Sequence, residues 1–77
     1  MTNWQNEINL KEYIEEDPPN FNKMIEAIKP FNLHSTERHL KRAKRLWKID
    51  VETAEAFCNI ALRNIYDYCD EHKIWVK

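Results

Sequence analysis

From Asp50 to about His72 the chain has neither glycine nor proline, and its apolar residues recur with an α-helical period. Val51, Ala54, Cys58, Ala61, Ile65 and Tyr68 follow a 3-4-3-4-3 spacing that draws a stripe down one face. At about 100° per residue, Phe57, Leu62, Tyr66 and Cys69 widen that stripe to roughly half the circumference. Asp50 stands where an N-cap belongs, with Thr53 at N3. A face this broad needs more than one covering element. The rest of the chain is therefore expected to wrap around this helix.

The preceding residues read as three shorter helical segments. Between Asn3 and Asp17, Trp4 and Ile8 share one direction while Leu10, Tyr13 and Ile14 share another, so one continuous helix cannot bury both sets. A break near Asn9 resolves the conflict. Asn9 then caps a helix over Leu10–Glu16 with Glu12 at N3, and Asp17-Pro18-Pro19 ends it. Asn20 is the expected cap of a second helix, Phe21–Lys29, which buries Phe21, Met24, Ile25 and Ile28 and stops at Pro30. The linker to His34 carries Phe31 and Leu33 and is expected to pack as an ordered connection. Ser35 is the predicted cap of a third helix running from Thr36 to about Lys48, with Leu40, Ala43, Leu46 and Trp47 on its apolar side. The two-residue joint Ile49-Asp50 predicts a tight corner or an antiparallel pair with the long helix. Lys73–Lys77 has strand-like composition and no evident partner strand, so it reads as a tail. The expected fold is all-α: a single domain over residues 1–77, four helices organised on the long C-terminal one.

A domain of 77 residues lies near the size at which one core supplies only a few kcal/mol, and many such domains complete their cores by association. The absence of glycine argues against phosphate-cradling loops, tight hairpins and nucleophile elbows. Net charge is only −1, yet it is segregated. Residues 1–20 hold five acids against one lysine, a net of −4, and the last 29 residues hold six acids against three bases, a net of −3. Between Arg38 and Lys48 stand six bases and no acid. Such segregation signals an electrostatic partner, or helices of opposite sign packed side by side. Cys58 and Cys69 are eleven residues apart on one helix, about 16 Å along its axis, beyond disulfide reach. Free buried thiols suit a reducing cytosol. With no signal peptide and no long apolar run, the expectation is a cytoplasmic protein with no membrane partner.

Three chemistries are weighed on these residues. The basic arc Arg38, Lys41, Arg42, Lys44, Arg45 and Lys48 suits phosphates, because neutralising them releases counterions. The second and third helices could also pass for a helix-turn-helix. Against nucleic acid stand the proline-bearing linker, the missing base-reading Asn or Gln, and the slightly negative total charge. A metal site drawn from His34, His39, His72 and the cysteines lacks a second paired motif, so no metal or cofactor is expected. Catalysis is not expected either, since both cysteines face the core, where thiols are inert. Ile60 falls about 140° from the centre of the apolar stripe, in a sector that should be wet, and Trp4 and Trp75 add aromatic surplus at the chain ends. The function expected is therefore a small non-catalytic regulator or adaptor that binds a protein, or a second copy of itself, through helix faces. The candidate partner-binding residues are Arg38, Lys41, Arg42, Arg45, Lys48, Ile60 and Trp75. The alternative is a nucleic-acid-binding regulator that uses helix 36–48.

Overall fold

A computed structural model of the chain describes residues 6–77. In order these form strand β1 (Asn6–Ile8), helix α1 (Lys11–Glu15), helix α2 (Phe21–Ile28), a 3-10 turn (Lys29–Phe31), helix α3 (His34–Leu46), helix α4 (Val51–Glu71) and strand β2 (Ile74–Val76). No helix among the described residues is long and apolar enough to cross a membrane. Trp4 of the expected N-terminal arm lies outside the described residues.

Helix α4 begins where its cap predicts. The Asp50 carboxylate accepts the Thr53 backbone N–H at 3.3 Å and the Thr53 hydroxyl at 2.6 Å. Its buried face carries Ala54, Cys58, Ala61, Ile65 and Cys69. The stripe read from the sequence slides at both ends: Val51 is 44% exposed, and Cys69 takes the place expected for Tyr68. A 3-4-3-4-3 spacing averages about 3.4 residues per turn against 3.6 for the helix, so its line drifts around the axis. Leu10, Met24, Ile28, Leu40 and Ile65 join Cys69 as the largest fully buried side chains.

Helices α3 and α4 form the most extensive packing pair. The ring centroids of His39 and Phe57 lie 5.7 Å apart, and these residues are about equally far from the connecting turn, so the two helices run antiparallel. That turn is closed by the N–H groups of Ile49 and Asp50, which donate to the Leu46 carbonyl at 2.9 and 2.7 Å. Helix α2 packs on α3 with all four expected residues buried and Asn20 accepting the Lys23 N–H at 3.2 Å. The start of α2 meets the end of α3, where Phe21 and Trp47 make an edge-to-face pair at 5.7 Å. The linker is ordered as expected, with the Phe31 and Tyr68 rings 5.4 Å apart.

Three sequence expectations are corrected. The fold is mostly helical with four α-helices, but it is not all-α: β1 and β2 pair in parallel, Asn6 opposite Ile74 and Ile8 opposite Val76. The C-terminal tail thus finds its partner strand in the N-terminal arm, and Ile8 and Ile74 are both buried. Asn9 does not cap α1. The N–H groups of Leu10 and Lys11 donate instead to the Lys77 carbonyl at 2.7 and 2.6 Å. Ser35 is not a cap either, because α3 starts at His34, two residues earlier than expected, behind the half-buried Leu33 whose carbonyl accepts the Glu37 N–H at 2.9 Å. Helix α2, by contrast, ends at Ile28, just ahead of Pro30 as expected, and the chain continues as the 3-10 turn. Pro30 occupies the first turn of the 3-10 segment, where a missing N–H costs nothing, and the reversal falls on Asn32 at φ 57°.

Candidate functional site

The outward face of α3 is set by its buried one. Thr36, Leu40 and Ala43 point inward, which leaves Arg38, Lys41, Arg42, Lys44, Arg45 and Lys48 all exposed. These six cations do not form one patch. Arg42 leans toward α4, with its guanidinium 5.4 Å from the centre of the Phe57 ring. Beside it His39 Nδ1 lies 2.6 Å from the Ser35 carbonyl oxygen. A carbonyl only accepts, so Nδ1 carries the proton. Ser35, Arg38, His39, Arg42 and Phe57 border a shallow pocket of about 220 Å³.

The other flank faces α2 and is larger. Lys41, Lys44, Arg45 and Lys48 line one side of a groove of about 590 Å³, whose apolar parts are Pro18, Pro19, Phe21 and Trp47. Lys44 Nζ reaches across and donates to Asn22 Oδ1 at 2.9 Å, a neutral acceptor that leaves its charge uncompensated. Lys41 lies 3.8 Å from Glu37. Arg38, Arg45 and Lys48 have no ion pair among the described residues. Glu16 is the single carboxylate at the groove's edge.

Of the seven predicted partner-binding residues, the structure joins only Lys41, Arg45 and Lys48 in one concavity, with Arg38 and Arg42 on the adjoining flank. Ile60 is exposed on α4, at 47%, as its phase requires. Trp75 is half exposed on β2 and borders a separate depression of about 360 Å³ with Tyr66, Lys11 and Asp70. Sequence reasoning missed Trp47, Pro18 and Pro19 as site residues. Trp47 was assigned to the core and the prolines to a helix stop. One signal was available: Trp47 lies three residues after Lys44 and one before Lys48, so its ring had to border the basic arc.

The thiols and histidines are dispersed. Cys58 and Cys69 are free and buried. Burial pushes both thiols above their ordinary pKa, and Glu55 adds to the effect at Cys58. His72 stacks on Tyr68 with centroids 4.1 Å apart, while His39 is on α3. No group of three or more His, Cys, Asp or Glu side chains among the described residues is placed to hold a metal ion. Comparison with protein families, with curated proteins and with solved structures finds no match to this chain.

Proposed function

We propose that the chain is a small non-catalytic intracellular regulator or adaptor, and that it binds a protein partner through the cationic face of α3. The observation that carries this reading is the exposed run of cations along and just beyond α3, four of them lining one groove, with Glu37 the only carboxylate paired to them among the described residues. Like charges at i,i+4 destabilise a helix by roughly 0.2–0.5 kcal/mol per pair, so a face of this kind is costly unless an anionic surface meets it. The groove beside it adds apolar area at which charge steering can convert to affinity, since interface energy concentrates on buried aromatic anchors. The raised thiol pKa values support an inert role for both cysteines.

The test is affinity capture from nuclease-treated extract of the native host, wild type beside Arg45→Glu/Lys48→Glu. A protein retained by the wild type and lost from the double variant is the expected result. The nucleic-acid reading takes over if random-sequence DNA or RNA binds at micromolar or tighter concentration at physiological ionic strength and the same substitutions abolish it.

A further inference from the structure

The groove between the Pro18-Pro19 turn and the second half of α3 has the chemistry of a particular ligand. Four cations line it and one carboxylate touches its edge, so it attracts negative charge. Its apolar side is made of two prolines, Phe21 and the half-buried Trp47. A volume of about 590 Å³ falls within the roughly 300–1,000 Å³ of ligand-sized clefts. We infer that this groove docks a short acidic segment of a protein partner, with one bulky apolar side chain seated against Trp47, Phe21 and the prolines. The inference rests on the reading of α3 as the partner-binding face and names the chemistry of the partner.

Length and charge both favour a peptide over a nucleic acid. From Lys41 to Lys48 the helix axis advances about 10 Å, the reach of roughly three extended residues. A nucleic acid strand instead uses a succession of stacking platforms along a continuous basic track. Here the track ends at Glu16, next to Glu15 and Asp17, which would repel further phosphates. A peptide can carry its acids on one side of its anchor and stop there. Lys44, held to Asn22, keeps one wall of the groove in place. Arg45 and Lys48 remain available for the carboxylates.

The experiment is selection of a random dodecapeptide library on the whole chain, followed by binding of the enriched peptides to wild type and to Arg45→Glu/Lys48→Glu. Circular dichroism checks the fold of the double variant, and Arg45→Gln/Lys48→Gln replaces it if helicity falls. The expected winners carry an aromatic or long aliphatic residue within three positions of two or more acids. Binding should shift the Trp47 indole and Asn22 amide resonances. Affinity should fall at least tenfold on charge reversal, and also when the peptide's apolar residue becomes alanine. The inference is overturned if no acidic sequence is enriched, or if the alanine peptide binds equally well. It is also overturned if oligothymidylate binds the same resonances more tightly, or if sedimentation shows a dimer that the charge reversal dissolves. Apart from the oligothymidylate outcome, which promotes the nucleic-acid reading, the partner-binding reading falls only if charge reversal also leaves capture of the host protein unchanged.

Discussion

Ile65 sits at the centre of the buried face of α4 with no exposure to solvent, and it touches the problem every small domain faces. Ile65→Ala removes core volume that neighbours cannot refill, at roughly 2–5 kcal/mol, a large part of what such a domain possesses. A denaturant midpoint that hardly moves would contradict this packing. Asn32 illustrates a different constraint. The chain has no glycine, so the left-handed position after the 3-10 turn falls to asparagine, the side chain that tolerates it best. Asn32→Ala should cost roughly 1 kcal/mol, whereas Asn32→Gly should be close to neutral, as thermal unfolding would show. At Asp50 the Thr53 hydroxyl and then the Thr53 backbone N–H lower the carboxyl pKa. The folded state therefore binds fewer protons there, and the stabilisation is present above the ordinary carboxylate range and lost as pH falls through the lowered value. Asp50→Ala should melt below wild type at neutral pH, with the gap narrowing in acid.

At the scale of elements, the two ends of the chain hold each other. The β2 strand supplies the buried Ile74, and the Lys77 carbonyl accepts from the amides of Leu10 and Lys11 at the entry to α1, while Lys77 donates its own N–H to the Ile8 carbonyl at 2.8 Å and pairs its Nζ with Glu7 at 2.7 Å. Helix α1 has five residues, too few to persist alone, and no side chain caps its start. Removal of residues 74–77 should therefore unravel α1 as well as the sheet. Amide exchange at Leu10 and Lys11 should accelerate to the rate of unstructured chain, while Asn9→Ala should leave both amides protected. Equal effects from the two changes would restore Asn9 as the cap.

For the whole molecule the governing fact is where the charges lie. Arg38/Arg42 and Lys41/Arg45 are like-charge i,i+4 pairs on α3, and Lys44 is followed by Lys48 in the turn beyond it; among the described residues they are opposed by the single pair Glu37–Lys41. The helix dipole favours Lys44 and Arg45 near the C-terminal end, which offsets part of this repulsion but does not reach Arg38. Raising ionic strength from about 0.01 M to about 0.15 M shortens the screening length from roughly 30 to 8 Å. The melting temperature should rise over that range, because the repulsive pairs are close neighbours and, among the described residues, only Glu37 forms an ion pair with a cation of α3. A fall would mean that the acidic end segments of the chain already neutralise α3.

The helices were legible because helix formation is local. The period of apolar residues located α2, α3 and α4, and the caps Asn20 and Asp50 were read correctly because a side chain and the N–H three residues on need no other part of the chain. The six exposed cations followed from the same periodicity. What tertiary structure alone decided is everything that joins residues distant in sequence. The pairing of Asn6–Ile8 with Ile74–Val76, and the capping of α1 by a carbonyl 66 residues beyond Lys11, depend on where α4 delivers the end of the chain. The groove arises the same way. Pro18, Pro19 and Phe21 come from one side and Lys41 to Lys48 from the other, and only the packing of α2 on α3 makes them one surface. Local spacing specifies what each helix buries, but a concavity is a property of two elements and exists only once both have docked.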